Sequence, residues 1–249
     1  MRIAVAGGTG VVGRYVVQAA KDAGHEVVVL ARSEGVDTRT GEGLAQALDG
    51  VEAVIDATNA GTTEEAPATG FFTASAANLQ RVGAEQGVRH LVVLSIVGID
   101  RVPVGYYAAK LAHEQAALAG PVPTTILRAT QFHEFAAQMI VWNRDGDVAR
   151  IPNLRVQPVA ARTVGRTLAE LAVAPPQEPA ADLAGPEQAD LVALARRLAD
   201  HLRLGVEVQV LEPDVPAGAL IPDDSAHIEG PTFGRWLTSD DAANITVLA

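Results

Sequence analysis

Apolar and polar positions divide this chain of 249 residues into two recurring kinds of segment. Short, nearly continuous apolar runs are typical of strands buried on both faces, and segments with apolar residues every three or four positions are typical of helices. Strands that alternate with helices indicate a parallel sheet covered on both faces. The predicted strands are 3–6, 26–31, 53–57, 91–94, 124–127, 148–156 and 206–211, and the predicted helices are 12–23, 44–48, 71–86, 106–118, 131–143, 163–173 and 191–202.

A glycine-rich turn joins the first predicted strand to the first predicted helix. Gly7 permits a tight turn, Gly10 lets the backbone approach a pyrophosphate, and Gly13 lets the helix pack close to the strand. The N–H groups of the first helical turn attract an anion. Strand, turn and helix in this order predict an α/β fold of Rossmann type with a doubly wound parallel sheet. The turn residues expected to bind a dinucleotide are Gly7, Thr9, Gly10, Val11, Val12 and Gly13.

The alternation of strands and helices loosens after residue 130. A chain of this length is compatible with one domain of this fold class. We therefore expect a single domain over residues 1–249, with a dinucleotide-binding core at about 1–130. The segments at about 131–160 and 185–249 are expected to form a small C-terminal cap on the substrate side of the sheet.

Composition excludes several classes of function. The net charge of −11 and the absence of a basic run argue against nucleic acid and anionic membranes as partners. The absence of cysteine removes disulfides, thiolate metal sites and cysteine nucleophiles. His113 and Glu114 do not extend to a zinc-binding H-E-x-x-H motif, because position 117 is Ala, so no metal site is expected. No apolar run approaches the roughly twenty residues that a bilayer requires, and a cytoplasmic location is expected.

The end of the second strand indicates which nicotinamide cofactor is bound. An acidic residue there would bind the ribose hydroxyls of NAD(H) and repel a 2′-phosphate. This chain has Ala31 at that position, followed by Arg32 and Ser33. The planar guanidinium of Arg32 suits a phosphate, and Ser33 adds a hydroxyl. The pattern favours NADP(H) over NAD(H), the alternative being that Arg32 is an ordinary solvated side chain.

Candidate catalytic residues follow the fourth strand. Tyr106 and Lys110 are four residues apart and so share one face of a helix. A nearby ammonium lowers the pKa of a phenol, so Tyr106 could exchange a proton with a substrate oxygen. Ser95 lies at the end of a strand, where parallel sheets bind ligands. The alternative is that Tyr106 and Lys110 merely decorate an exposed helix.

Together these motifs resemble an atypical short-chain dehydrogenase/reductase, in the NmrA-like and isoflavone-reductase-like branch, from Met1 to about residue 165. The branch includes reductases and proteins that bind the cofactor to sense redox state. Ala129 departs from the proline that relatives often have there. The resemblance implies Asp37 near the adenine amino group, Ala57, Thr58 and Asn59 along the cofactor ribose and diphosphate, Lys110 on the nicotinamide ribose, and Thr130 to Phe132 beside the nicotinamide.

Candidates for substrate contact follow the fifth strand. His133 could orient a substrate carbonyl, although a histidine on a helix face is more often structural. Phe132, Phe135 and Met139 could line an apolar pocket or simply pack within the cap. The candidates are Gln131, Phe132, His133, Phe135, Met139 and Trp142.

Three functions remain open. The favoured one is an NADP(H)-dependent oxidoreductase that reduces a small, fairly apolar carbonyl or enone compound by hydride transfer, with Tyr106 as proton donor and with Ser95 and Lys110 in support. The others are a non-catalytic NADP(H)-binding redox sensor and an NAD-dependent sugar epimerase or dehydratase. The expected partner is a small-molecule substrate, with no nucleic acid or membrane, and the protein is expected to be a monomer or homodimer.

Overall fold

The computed structural model describes residues 1–177, 180–213 and 215–245, so residues 246–249 of the predicted cap lie outside the described part. The predicted alternation of strands and helices is confirmed over the first half of the chain. Its elements are β1 (Arg2–Ala6), α1 (Gly13–Asp22), β2 (Glu26–Leu30), α2 (Leu44–Ala47), β3 (Ala53–Asp56), α3 (Glu65–Glu85), β4 (His90–Ile96), α4 (Gly105–Leu118) and β5 (Thr124–Ala129).

The elements after β5 include several very short strands. In chain order they are α5 (Phe135–Trp142), β6 (Arg144–Asp145), β7 (Val148–Pro152), β8 (Arg155–Val156), α6 (Ala161–Val173), β9 (Leu183–Ala184), β10 (Ala189–Asp190), α7 (Leu191–Leu202), β11 (Glu207–Leu211), β12 (His227–Ile228), α8 (Phe233–Leu237) and α9 (Asp240–Ala243).

The central sheet contains seven strands in the order β12-β9-β5-β4-β3-β1-β2. β1 pairs in parallel with β2 on one side and with β3 on the other. The winding direction therefore reverses between β1 and β3, and sheets of this kind bind ligands outside the carboxyl ends of the strands at that point. This topology confirms the predicted Rossmann-type α/β fold.

The chain divides into two compact units, and the first comprises residues 1–128 and 162–181. On one face of its sheet, Ala4 and Ala6 of β1 belong to an apolar cluster with Leu79 of α3. Ile3 and Val5 are also fully buried, and strand alternation turns them to the opposite face. Both faces of β1 are therefore covered, as its nearly continuous apolar run predicts. The single-domain organisation stays a prediction.

The second unit comprises residues 129–161 and 182–249. Its apolar core joins Ile140 of α5, Leu194 of α7, Ile151 of β7 and Trp236 of α8. β7 lies in the middle of a small sheet, antiparallel to β6 and parallel to β11. Among the described residues, no helix is both long enough and apolar enough to cross a membrane.

Some element boundaries differ from those predicted. α3 begins at Glu65 instead of residue 71, because Pro67 lies in the first helical turn, where a missing N–H removes no hydrogen bond. α5 begins at Phe135 instead of residue 131. Phe132 instead forms a parallel bridge with Val159, and His133 and Glu134 form a turn that leads into the helix. The predicted strand 148–156 is divided into β7 and β8.

Candidate functional site

The glycine turn after β1 has the backbone geometry that its sequence predicts. Gly7 has φ +73°, and a Cβ atom on it would lie 2.6 Å from the carbonyl oxygen of Ala57. A Cβ atom on Gly13 would lie 2.0 Å from the carbonyl oxygen of Gly7. Thr9 and Gly10 form the exposed tip of the turn, and the N–H of Gly10 donates to the Gly7 carbonyl over 2.9 Å. The turn is therefore closed on its inner side and open at its tip.

Residues 57–59 continue from the end of β3 and lie against the glycine turn. The N–H of Ala57 donates to the carbonyl of Ala6 over 3.0 Å. The Thr58 N–H and hydroxyl both donate to Oδ1 of Asp56, over 2.9 and 2.6 Å. These bonds fix the loop that the family resemblance assigns to the ribose and diphosphate. Asp56 is thus a carboxylate at the end of a strand that caps the following loop.

The segment after β2 is exposed and carries Arg32 in a short 3₁₀ turn. The Arg32 carbonyl accepts a hydrogen bond from the N–H of Gly35 over 3.1 Å, but no hydrogen bond or ion pair joins its guanidinium to another residue within the described part of the chain, so the guanidinium is available to a ligand. Ser33 contacts the Glu34 carboxylate only at 3.5 Å. Asp37 accepts from the N–H of Arg39 over 2.8 Å and so closes the following loop.

The Tyr106 hydroxyl donates to Oδ1 of Asn59 over 3.1 Å, which connects α4 to the loop after β3. Its ring meets that of Phe72 edge-on at 5.9 Å. Burial, with a smaller contribution from Tyr107, raises the pKa of Tyr106 to about 12. The expectation that Lys110 lowers the pKa of this phenol is therefore wrong in this structure. The reason is that the Lys110 ammonium is hydrogen-bonded to Leu94 and His113 instead.

Lys110 is only 4% exposed. Its ammonium donates to the Leu94 carbonyl over 2.8 Å and to Nδ1 of His113 over 3.0 Å. The ammonium also lies 4.6 Å from the centre of the Phe72 ring, a cation–π distance. Burial lowers the pKa of Lys110 to about 8, against the opposing effect of the Asp56 and Glu114 carboxylates. The protein itself thus supplies two acceptors and an aromatic face to this cation.

Ser95 follows Leu94 in β4 and is 1% exposed. Its hydroxyl has no hydrogen-bond partner within the described residues. A buried hydroxyl without a partner costs free energy that a suitably placed ligand can recover. This hydroxyl and the glycine turn, where side chains would block the backbone, fit a bound nicotinamide dinucleotide with its substrate.

Two residues of this region were not identified as functional from the sequence. His113 and Asp56 are fully or almost fully buried, and His113 Nε2 lies 3.0 Å from Oδ2 of Asp56. The sequence carried one indirect signal, which concerns Lys110, the partner of His113. Only two of the 19 basic residues are lysines, Lys21 and Lys110. Arginine serves almost everywhere else, so a lysine inside a motif indicates a particular requirement there.

The candidates after β5 belong to the second unit. Thr130 is buried and its hydroxyl donates to the Gln157 carbonyl over 2.6 Å. Phe132 is partly buried next to its bridge with Val159. The Gln131 amide has no hydrogen-bond partner within the described part of the chain. The assignment of Thr130 and Phe132 to the nicotinamide stays a prediction.

His133 is held by a bond within the second unit, which favours the structural alternative. Its Nε2 donates to the Pro231 carbonyl over 3.0 Å, which leaves only the acceptor Nδ1 on a neutral ring. Burial lowers the pKa of His133 to about 4, so the ring is neutral at physiological pH. Met139 likewise packs in the core of the second unit, whereas Trp142 is 57% exposed and contacts Phe135 edge-on. The structural alternative holds for His133 and Met139.

Comparison with known sequences identifies a family. The sequence model described as NAD(P)H-binding matches residues 7–175. The chain is also similar to the photosystem II assembly factor Ycf39 of Synechocystis, with 35% identity over 117 residues. That match covers 41% of this chain and 36% of the relative, so it spans little more than a third of the relative's length.

Solved structures with the same fold include enzymes of different kinds. A short-chain dehydrogenase/reductase superfamily protein of Agrobacterium tumefaciens with bound NAD has a TM-score of 0.69 and 17% identity, with 98% of this chain and 96% of that chain covered. The UDP-glucose 4-epimerase of Thermotoga maritima has a TM-score of 0.67 and 15% identity, with 87% of each chain covered. The triphenylmethane reductase of Citrobacter, complexed with NADP(H), has a TM-score of 0.62 and 18% identity, with 86% and 80% covered.

At these identities the structural matches show the fold alone, a Rossmann-type α/β fold. The sequence match adds pyridine-nucleotide binding and covers the glycine turn, the loop after β3 and the Tyr106–Lys110 helix. The resemblance drawn from the sequence motifs is thus confirmed, and the chain belongs to the NAD(P)H-binding family.

Proposed function

We propose that this protein is an NADP(H)-dependent oxidoreductase that reduces a small, fairly apolar carbonyl or enone compound, with Tyr106 as the proton donor. One observation carries the proposal. Gly7 lies against Ala57, and two residues further along the same loop Asn59 accepts a hydrogen bond from Tyr106. The glycine turn and the candidate acid therefore border one continuous loop.

The residues that would hold the cofactor follow from their positions. The open tip of the turn, at Thr9 and Gly10, would receive the diphosphate, with the first N–H groups of α1 directed at the charge. The Arg32 guanidinium is exposed and has no partner within the described residues, which suits a bidentate contact with a 2′-phosphate. NADPH, when bound, supplies a hydride to the substrate.

Tyr106 supports the reductive direction. With its pKa raised to about 12, the phenol stays protonated at physiological pH and can donate to an oxygen that gains negative charge. It already acts as the donor in its bond with Asn59. The reverse direction would require a phenolate, which burial disfavours. Ser95 offers a second hydroxyl for the same oxygen.

The test is a cofactor-depletion screen with NADPH and a broad panel of aldehydes, ketones and enones. Tyr106→Phe is compared with Tyr107→Phe, which removes the neighbouring hydroxyl about 100° around the helix. Turnover should fall at least tenfold in Tyr106→Phe, consistent with the 10²–10⁴-fold typical of general acid catalysis. NADPH affinity should be nearly unchanged in both variants, and Tyr107→Phe should keep most of the activity.

Full activity in Tyr106→Phe would contradict the role of this residue. Tight NADPH binding without turnover across the whole panel would favour the second candidate, a non-catalytic NADP(H)-binding regulator. One observation favours that candidate: the Lys110 ammonium bonds Leu94 and His113, and within the described residues no hydrogen bond joins it to the Ser95 hydroxyl.

A further inference from the structure

A line of three ionisable side chains is buried in the first unit beside the candidate site. Lys110, His113 and Asp56 are 4%, 0% and 1% exposed. The Lys110 ammonium lies 3.0 Å from His113 Nδ1, and His113 Nε2 lies 3.0 Å from Oδ2 of Asp56. Oδ1 of Asp56 accepts both hydrogen bonds from Thr58.

The donors and acceptors allow one arrangement of protons. An ammonium has three N–H donors and no acceptor, so His113 must accept through an unprotonated Nδ1. Its proton is then on Nε2 and is donated to Asp56. The line therefore runs from a cation through a neutral imidazole to a carboxylate. The Phe72 ring covers both nitrogen groups, stacked on His113 at 4.8 Å and 4.6 Å from the ammonium.

The surrounding charges agree with this arrangement. Burial would raise the pKa of Asp56, but the hydrogen bonds from His113 and Thr58 act against burial and keep it lowered. Burial and the nearby Lys110 charge lower the pKa of His113, so it is neutral at physiological pH. Glu114 also attracts Lys110.

The Glu114 charge beside the line is itself paired with a cation. The Glu114 carboxylate is bonded to the Arg128 guanidinium of β5 over 2.8 and 2.9 Å, and Arg128 also contacts Asp100. β4 contributes the Leu94 carbonyl and α3 contributes the uncharged Phe72.

We propose that Asp56 and His113 are positioning residues for Lys110, which hold its ammonium on the cofactor side of α4 with one N–H left for a hydroxyl of the bound dinucleotide. Leu94 and His113 take two of the three N–H donors. Asp56 selects the His113 tautomer that can accept, and Thr58, in the loop assigned to the cofactor, holds Asp56. The expected changes in cofactor affinity rest on the proposed function. The positions of the protons in the buried line can be measured independently of it.

The decisive variant is Asp56→Asn. The two Thr58 donors would keep the amide oxygen of the new side chain on their side, so its NH₂ group would face His113 Nε2. Nε2 must then accept, and the proton moves to Nδ1, against the Lys110 ammonium. A carboxamide that enforces the wrong histidine tautomer has a known precedent in the serine protease triad. Asp49→Asn makes the same change of charge at an exposed side chain and is the matched control.

Three measurements follow from this. Nitrogen NMR of the histidine rings, assigned with His113→Leu, reports the tautomer. Carbon NMR of the lysine side chains reports their titration, and with only Lys21 and Lys110 in the chain a Lys21→Arg variant assigns both signals. Fluorescence titration with NADPH reports affinity.

In the wild type, His113 should be neutral with its proton on Nε2, and Lys110 should titrate well below Lys21. In Asp56→Asn the proton should move to Nδ1, Lys110 should titrate about one pH unit lower still, and NADPH affinity should fall at least tenfold. Asp49→Asn should match the wild type in all three. If Asp56→Asn does not fold, His113→Gln, which keeps an acceptor but breaks the link to Asp56, should give a smaller loss of affinity than His113→Leu.

An unchanged tautomer in Asp56→Asn, or two lysines that titrate together, would overturn the proposed proton arrangement. A shifted tautomer with unchanged NADPH affinity would overturn the positioning role. If the wild type binds no NADPH, the proposed function fails, whereas the NMR measurements still decide the arrangement of protons in the buried line.

Discussion

Two regions of the first unit meet at the candidate site, and they are built in opposite ways. The rim comprises Thr9, Gly10, Arg32 and Ser33, all exposed. The buried region comprises Gly13, Asp56, Lys110 and His113, each in contact with other parts of the protein. Residues of the rim are free to bind a ligand because the fold makes little use of them. Residues of the buried region are already partnered, so their substitution should change folding, protonation or both before it changes binding.

The largest expected effect separates two glycines of the same turn. In Gly13→Ala the new Cβ would lie 2.0 Å from the Gly7 carbonyl oxygen and 2.8 Å from the Gly8 Cα. Both are backbone atoms of a tight turn and cannot move aside, so the free energy of unfolding should fall by at least about 3 kcal/mol. Urea denaturation of the variant measures it.

Gly10→Val is the matched change on the rim. Its Cβ would meet only the Gly7 carbonyl oxygen, at 3.2 Å, so stability should change by no more than about 1 kcal/mol. The side chain would nevertheless occupy the approach of the diphosphate, and NADP(H) binding should be lost. A folded Gly10→Val protein with normal affinity would show that the diphosphate does not approach at Gly10.

The next effect concerns the pH dependence of stability. In the folded protein the pKa of Lys110 is lowered from 10.5 to about 8. Between these values the unfolded chain holds the proton that the folded chain has lost, so the free energy of unfolding should rise with pH over this interval, by about 3 kcal/mol in total. Below about pH 8 both states hold the proton and this contribution stops changing.

Lys110→Met should remove that rise, and Lys21→Met is the control because Lys21 is an exposed lysine at the end of α1. The measurement is urea denaturation of the three proteins from pH 7 to pH 10.5. The same slope in Lys110→Met as in the wild type would mean that Lys110 is not a buried cation, and the contrast between the two regions would fail.

The rim, Gly13 and Lys110 were predictable as candidates from the sequence, whereas Asp56 and His113 were not, for a physical reason. The glycine turn, Arg32 and the Tyr106–Lys110 spacing are local patterns, and each of them carries its own geometric consequence. Asp56 and His113 are 57 residues apart and meet only because β3 and α4 pack together. Their individual types gave no signal beyond an acid in an apolar strand and a histidine in a helix.

The same distinction applies to the fold. The first five strands were found because each contains a local run of apolar or β-branched residues. β9 and β12 have two residues each and no period to detect. They exist because Leu183 pairs with Ala129 and with His227, partners that are distant in the sequence. The start of α5 was wrong because the Phe132–Val159 bridge competes with the helix.

The smallest effect should come from Arg32, and it sharpens the contrast because a cation of the rim is removed. A charge-assisted bidentate contact with a 2′-phosphate contributes roughly 1.5–3 kcal/mol, so Arg32→Ala should lower the preference for NADP(H) over NAD(H) roughly ten- to hundredfold. Titration calorimetry with both cofactors measures the ratio. Arg32→Lys keeps the charge but loses the planar fork and should give an intermediate preference.

Arg39→Ala removes another exposed arginine from the next loop and tests whether any nearby cation suffices. Loss of the preference in Arg39→Ala and not in Arg32→Ala would move the phosphate contact to that loop, and equal affinities of the wild type for the two cofactors would refute the preference itself. Because the exposed Arg32 guanidinium has no hydrogen bond or ion pair within the described residues, the free energy of unfolding of Arg32→Ala should stay within about 0.5 kcal/mol of the wild type. A residue of the rim would then alter ligand choice without altering stability, the reverse of what Lys110 should do.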